Sequence, residues 1–127
     1  MDKKKKILVV EDDEFLRTLY TDILSKEHYT VSHASDGNEA YAKIKDGMWD
    51  LILLDIILPY LDGIEIVLKL KKEYPDALKQ RIIFLTNLDK NEIVEKIKTL
   101  GYTYIIKSDL NPEEFVKKIK GILTSQK

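Results

Sequence analysis

Five short segments of the chain are dense in β-branched and other apolar residues, and this pattern restricts the possible fold more than any other feature. The segments are residues 7–10, 30–34, 51–54, 82–85 and 102–106. Three of them are almost unbroken apolar runs, which is typical of strands that are buried on both faces of a parallel sheet. The pattern therefore predicts a parallel sheet at the centre of the fold.

Apolar residues between and after these segments recur at helical spacing. They form stripes within residues 15–24, 40–44, 64–70, 93–100 and 115–123. Asp36, Asp62 and Asn111 are suited to cap helix starts, and Gly47 and Gly101 stand where the second and fourth helices should end. Strand and helix thus alternate five times, which predicts an α/β fold with a doubly wound sheet.

The length and composition indicate one domain over residues 1–127, with a flexible lysine-rich segment at residues 1–6. The absence of cysteine excludes disulfides, thiolate catalysis and cysteine-ligated metals. A net charge of −1 argues against direct binding of nucleic acid through a broad basic field. Apolar runs are too short to span a bilayer and no signal peptide is evident, so we expect a cytoplasmic protein without a membrane partner.

Polar side chains cluster where the predicted strands end, at the edge where open parallel sheets bind their ligands. They are Glu11, Asp12 and Asp13 after the first strand, Asp55 after the third, Thr86 after the fourth, and Lys107 at the end of the fifth. Each of them alone has an ordinary explanation as a helix cap or a strand-end residue. Their gathering at one edge favours a functional site.

The acids of this edge predict a cation site. If the first and third strands are neighbours, Glu11, Asp12 and Asp55 converge, and their mutual repulsion must be offset. Oxygen ligands of this kind suit Mg²⁺. Lys107 supplies a further counter-charge, so that a divalent ion and one lysine balance three carboxylates. Thr86 then offers a hydroxyl donor to a phosphoryl group.

Four motifs carry a resemblance to a known family. They are Ile7-Leu-Val-Val-Glu-Asp-Asp13, Asp55-Ile-Ile-Leu-Pro-Tyr-Leu-Asp-Gly63, Phe84-Leu-Thr86 and Tyr104-Ile-Ile-Lys107. Over residues 7–123 the chain resembles the receiver domains of response regulators in two-component phosphorelay signalling. The resemblance implies a flavodoxin-like three-layer sandwich with a five-stranded parallel sheet in the order 2-1-3-4-5.

The resemblance also implies a role for each residue of the site. Asp55 would accept the phosphoryl group, and Lys107 would contact it as a cation. Glu11, Asp12, Asp55 and the backbone carbonyl of Ile57 would hold Mg²⁺ as the cofactor.

Signalling in such domains implies a switch and a set of partners. Thr86 would act as both the catalytic and the switch hydroxyl, and Tyr104 would change rotamer on activation. Together they would alter the surface formed by the fourth helix, the fifth strand and the fifth helix. The phosphodonor would be a sensor histidine kinase or a histidine phosphotransfer protein. The output would pass to a downstream protein, an effector domain or a homodimer formed through that surface, and the chain would be a signalling acceptor rather than a turnover enzyme.

Three features depart from the family pattern. Asn87 stands where a very small residue is usual, so it would crowd the pocket or add a hydrogen bond. Ser108 replaces the proline that usually follows Lys107 in a cis peptide, and a cis bond here would cost about 3 kcal/mol, so we expect a trans bond. Ile57 and Leu88 flank the pocket with apolar side chains that cannot orient water, which predicts a long-lived phosphoryl group.

Three other functions are less well supported. A receiver-like interaction scaffold without phosphorylation is the main alternative, and Asn87 and Ser108 are the features that favour it. A flavin or nucleotide binder would require a glycine-rich phosphate loop, and neither common form of that motif is present. A Mg²⁺-dependent phosphatase with an aspartate nucleophile would require a second acid at the position of Ile57.

Overall fold

The computed structural model describes residues 4–87, 91–109 and 111–124. The strands are β1 (Lys6–Val10), β2 (Thr30–Ala34), β3 (Leu51–Asp55), β4 (Ile82–Thr86) and β5 (Thr103–Ile106). The helices are α1 (Glu14–Lys26), α2 (Gly37–Asp46), α3 (Gly63–Glu73), α4 (Asn91–Thr99) and α5 (Pro112–Thr124). Short 3₁₀ turns cover Pro75–Lys79 and Lys107–Asp109.

All pairings within the sheet are parallel, and the strand order is β2-β1-β3-β4-β5. The doubly wound sheet and its order are therefore confirmed. The direction in which the chain winds from strand to strand across the sheet reverses between β1 and β3. The carboxyl ends of these two strands lie side by side. This is the point where an open α/β sheet provides a binding crevice.

Side chains of the central strands alternate between two apolar layers because successive residues of a strand face opposite ways. Leu8, Val10, Ile52 and Leu54 pack with residues of α2, α3 and α4 on one face. Ile7, Val9, Leu51 and Leu53 pack with residues of α1 and α5 on the other face. β3 is buried along its whole length, which accounts for its unbroken apolar sequence up to Asp55. Among the described residues, no helix has the length and apolar character needed to cross a membrane.

Two site residues lie within strands rather than after them, which corrects the boundaries predicted from sequence. Asp55 pairs with Leu85, and Thr86 pairs with Ile106, so the ladder extends through each polar residue. Lys107 is not part of β5 but begins the 3₁₀ turn that follows it. In β3 and β4 the apolar run stops one residue before the strand does, because the last residue has a polar side chain but still pairs through its backbone.

Aspartate side chains cap the first three helices. Asp13 accepts a hydrogen bond from the Leu16 amide at 3.0 Å, which gives the third acid of the first cluster a structural role. Asp36 caps α2, and Asp62 forms a reciprocal capping box with Glu65 on α3. The predicted caps Asp36 and Asp62 are confirmed.

Gly63 packs against the backbone that carries Asp55. Its amide donates to the carbonyl of Ile56 at 2.7 Å. A Cβ atom here would lie 2.4 Å from the Asp55 carbonyl oxygen, closer than real contacts allow, and 3.2 Å from the Phe84 ring, which is a tight contact. The glycine therefore lets the start of α3 approach the end of β3.

We expect Gly63→Ala to lower the free energy of unfolding by about 2 kcal/mol, because the added methyl group meets backbone that cannot easily move. Urea denaturation measures this change. Gly121→Ala is the matched control, since a Cβ at Gly121 in α5 meets nothing within 4 Å. That control should be neutral or more stable by up to about 1 kcal/mol. Equal effects of the two substitutions would contradict the close-approach argument.

Candidate functional site

A cavity of about 220 Å³ opens at the carboxyl edge of the sheet, above the ends of β1, β3 and β4. Its lining residues come from the strand ends and the loops that follow them. They are Glu11, Asp12, Asp13, Leu16, Asp55, Ile57, Thr86, Asn87 and Lys107. The topology thus brings to one cavity the residues that the sequence places tens of positions apart.

Three of the predicted acids meet in this cavity. One carboxylate oxygen from each of Glu11, Asp12 and Asp55 lies within 4.8 Å of the others. Glu11 and Asp55 are buried, with 1% and 5% of their surface exposed, whereas Asp12 faces solvent. The parallel pairing of β1 with β3 produces this convergence, because Val10 and Leu54 are in register and the acids follow each of them.

Lys107 joins the two buried acids. Its Nζ donates to Glu11 Oε1 at 2.8 Å and to Asp55 Oδ2 at 2.9 Å. The remaining carboxylate oxygens accept from backbone amides: Glu11 Oε2 from Asp13 at 3.2 Å, and Asp55 Oδ1 from Ile56 at 2.9 Å. Each oxygen of the two buried carboxylates therefore has a donor.

The buried charges are not balanced, because two carboxylates share one ammonium group. Burial and the neighbouring charge of Glu11 raise the pKa of Asp55 to about 7, although Lys107 opposes this shift. Burial lowers the pKa of Lys107, but its bonds to Glu11 and Asp55 outweigh that effect and raise the pKa overall. Lys107 is thus charged at neutral pH, and Asp55 is poised to exchange its proton.

The donor set of the cavity fits a hard divalent cation. It consists of oxygen atoms alone, and two of its three carboxylates are buried beside each other with insufficient positive charge. Ile57 lines the same cavity as the three acids. A cation bound there would relieve the repulsion that raises the pKa of Asp55.

Thr86 and Tyr104 occupy different positions relative to this cavity. Thr86 is buried at the end of β4 and lines the cavity. Tyr104 is half-buried, in register with Phe84, and packs on the face of the sheet that α4 covers. Thr86 is in register with Ile106, two residues after Tyr104 on the same strand. Tyr104 therefore lies about 6 to 7 Å along the strand from the level of Thr86. Tyr104 is therefore placed below the site and beside α4.

The residues that depart from the family pattern have defined positions, with one exception. Asn87 is exposed and lines the cavity, so it extends the rim without being packed into the core. The peptide bond between Lys107 and Ser108 is trans, as expected, since the described residues contain no cis peptide bond. Leu88 lies outside the described residues.

Sequence reasoning missed two neighbours of the acids. Arg17 donates from Nη1 to the backbone carbonyls of Glu11 and Asp12. Tyr20 is buried against Phe115, with ring centroids 4.9 Å apart. Burial raises the pKa of the Tyr20 hydroxyl, and the charges of Lys107, Glu11 and Asp55 also act on it. A contact with a backbone carbonyl leaves no pattern in residue types, so no sequence signal marked Arg17.

We expect Asp55→Asn to raise the free energy of unfolding of the metal-free protein at about pH 8 by about 2 kcal/mol. The pKa of Asp55 is higher in the folded chain than in the unfolded chain, so the folded chain binds the proton more tightly. Stability of the wild type therefore falls as the pH rises from about 4 to about 7, and asparagine removes that fall. Urea denaturation with a chelator at several pH values measures the difference.

The control for this substitution is Asp22→Asn, which changes the same charge at an exposed position of α1. It should follow the wild-type pH dependence. An Asp55→Asn variant that is less stable than the wild type at about pH 8 would show that the pair with Lys107 outweighs the burial of the carboxylate.

Comparisons with known proteins agree with the fold. The chain matches the response regulator receiver domain family over residues 7–120. It is 39% identical over 121 residues to the alkaline phosphatase synthesis transcriptional regulatory protein PhoP of Bacillus subtilis (strain 168). That match covers 94% of this chain and 48% of PhoP, so the chain spans about half the length of this relative.

Solved structures give the same result. The fold is similar to a CheY-like response regulator receiver domain protein from Methanospirillum hungatei JF-1, with a TM-score of 0.83, 32% identity and coverage of 96% of this chain and 95% of that one. It is also similar to the response regulator TrrA of Thermotoga maritima in complex with Mg²⁺ and BeF, with a TM-score of 0.75, 32% identity and coverage of 93% and 98%. On the family match and these likenesses, the chain belongs to the response regulator receiver domain family.

Proposed function

We propose that this chain is a phosphoacceptor signalling switch, in which the carboxylate of Asp55 accepts a phosphoryl group. The observation that carries the proposal is the position of Asp55 in the cavity, 2.9 Å from the Lys107 ammonium and beside two further acids. A carboxylate attacks an anionic phosphoryl group only where the surrounding charges are offset and the reacting atoms are aligned. Lys107 supplies a fixed positive charge at that place.

The phosphodonor is proposed to be a phosphohistidine of a sensor histidine kinase or a histidine phosphotransfer protein. An oxygen of the Asp55 carboxylate attacks phosphorus, and a new oxygen–phosphorus bond forms. The nitrogen–phosphorus bond of the donor breaks, and the leaving imidazole nitrogen keeps the electron pair and takes up a proton. The chain is itself the acceptor and keeps the phosphoryl group after this step, so it acts as a signalling acceptor rather than a turnover enzyme.

Glu11, Asp12, Asp55 and the backbone carbonyl of Ile57 are the proposed ligands of Mg²⁺. When bound, Mg²⁺ supplies positive charge that offsets the carboxylates and polarises a phosphoryl oxygen. The Mg²⁺ and BeF in the similar structure of TrrA support this proposal. Lys107 already bonds to two of these acids, so its ammonium is placed to exchange a carboxylate oxygen for a phosphoryl oxygen when the group arrives.

The signal is proposed to pass from Thr86 to Tyr104. A phosphoryl group on Asp55 attracts the Thr86 hydroxyl, and the loop after β4 moves with it. The half-buried ring of Tyr104 then turns towards the space that is vacated, which changes the surface of α4, β5 and α5. The phosphoryl group shifts the population only as far as it binds one of the two states better.

The output is proposed to be a protein contact. The similar protein PhoP is described as a transcriptional regulatory protein and is about twice as long as the match. An effector domain in a longer chain, a separate downstream protein or a homodimer through α4, β5 and α5 are the candidates. We propose the cytoplasm as the site of action, since the phosphodonor described above acts there.

Incubation with Mg²⁺ and acetyl phosphate should add the mass of one phosphoryl group to the wild type and none to Asp55→Asn. Intact-protein mass spectrometry measures the adduct. Asp62→Asn is the matched control, because Asp62 caps α3 and asparagine caps a helix equally well. Its adduct should equal that of the wild type. A folded wild type that gains no adduct from any donor would instead favour the interaction scaffold.

The phosphoryl group on Asp55 should persist for minutes or longer, because Ile57 at the cavity offers no polar atom in its side chain to orient an attacking water. Ile57→Gln should shorten the lifetime several-fold. Leu68→Gln, an exposed position on α3, should leave it unchanged. The decay of the mass adduct after removal of the donor measures the lifetime, and a loss within a few seconds in the wild type would contradict the prediction.

A further inference from the structure

Arg17 makes an unusual pair of contacts for a cation that lies among acids. It is half-buried at the end of the first turn of α1, and its Nη1 donates to the carbonyl oxygens of Glu11 at 3.1 Å and Asp12 at 3.3 Å. Among the described residues, the guanidinium forms no ion pair with a carboxylate within 4.0 Å. Arg17 therefore binds the backbone of the acids and leaves their side chains available.

These bonds are the third anchor of residues 11–13, the segment that carries two of the three clustered acids. The Glu11 amide donates to Ala34 at 3.1 Å, which ties the segment to β2. Asp13 at its other end caps α1 through the Leu16 amide. Between these two anchors, the carbonyls of Glu11 and Asp12 converge on a single nitrogen of Arg17. The two clamped peptide groups flank the Cα atom of Asp12, and the Glu11 amide bond to Ala34 holds the peptide group before Glu11. The clamp therefore fixes the backbone from which both acidic side chains project.

Lys107 and Arg17 thus have separate tasks in the same cluster. Lys107 bonds to the carboxylates of Glu11 and Asp55 and competes with any cation for their oxygens. Within the part of the chain that the structure describes, Arg17 donates to carbonyl oxygens and to no carboxylate, so its positive charge stabilises the acidic segment without occupying a ligand atom. Groups that orient the ligands of a metal typically change metal affinity by 10- to 100-fold when they are removed.

We propose that Arg17 is a positioning residue for the divalent cation. It holds the carbonyls of Glu11 and Asp12 so that both carboxylates are presented to the cation together with Asp55. This inference rests on the proposed function, because it assumes that the acidic cluster binds Mg²⁺. It adds a residue that contacts neither the cation nor the phosphoryl group.

Arg17→Met removes the donors and keeps an unbranched side chain, and Arg17→Gln is a second removal variant with a shorter neutral side chain. Both should weaken Mg²⁺ binding about 10-fold, as measured by calorimetry with MgCl₂. Arg17→Lys should remain within about threefold of the wild type, because both native bonds come from one nitrogen and an ammonium group also has several donors. Rescue by lysine distinguishes positioning from packing.

Lys26→Met is the matched control, since it removes the same charge from the far end of the same helix, nine residues or about 13 Å away. It should bind Mg²⁺ as the wild type does. The melting temperature with a chelator should be similar for all variants. The rate of phosphorylation by acetyl phosphate in Arg17→Met should be lower at limiting Mg²⁺ and should return to the wild-type rate at saturating Mg²⁺.

Wild-type Mg²⁺ affinity in Arg17→Met and Arg17→Gln would overturn the inference while leaving the proposed function intact. Equal losses in the lysine and methionine variants would also overturn it. A wild type that binds no Mg²⁺ would overturn both the proposed function and this inference.

Discussion

The ammonium group of Lys107 lies between the buried carboxylates of Glu11 and Asp55, and the character of the site depends on this contact. Lys107 cannot neutralise both acids, so the metal-free site keeps an excess negative charge among buried groups. A proton on Asp55 is one way to relieve the excess, and this accounts for the direction in which its pKa moves. An added cation is the other way. A buried group with a strongly shifted pKa and a specific charge partner is characteristic of functional sites.

The parallel sheet supplies the geometry on which that contact depends. Glu11 follows β1, Asp55 ends β3 and Lys107 follows β5, so three strands each deliver one member to the same edge. The two apolar layers fix the strands, and Gly63 allows α3 to start directly against the backbone of Asp55. The free energy of burying apolar side chains thus holds charged groups at distances they would not adopt in water.

Much of this arrangement could be predicted from the sequence. Unbroken apolar strands with intervening helical stripes predict a parallel sheet. Glu11, Asp12 and Asp55 follow or end two of these strands, so the sheet predicts that they lie at one edge. The limits are also physical. The sequence groups Asp13 with the other acids, because the residue type does not distinguish a helix cap from a ligand, and only the bond from the Leu16 amide shows its role as a cap.

Other features are visible only in the three-dimensional structure. The strand ends were misplaced by one residue at Asp55 and Thr86, because a polar side chain does not end a backbone ladder. The sequence predicts Lys107 as a counter-charge to the acids, but only the structure shows that its ammonium bonds to Glu11 and Asp55 at the same time. Arg17 was missed because its partners are backbone carbonyls, which every residue carries.

The most direct test of the account is a calorimetric titration of the wild type with Mg²⁺ at about pH 7, repeated in two buffers that differ in ionisation enthalpy. We predict saturable binding of one ion per chain together with release of protons, because the cation replaces the proton that the crowded carboxylates hold on Asp55. Binding with identical heat in both buffers, or no saturable heat at all, would contradict the claim that the excess negative charge around Asp55 holds a proton that the cation replaces.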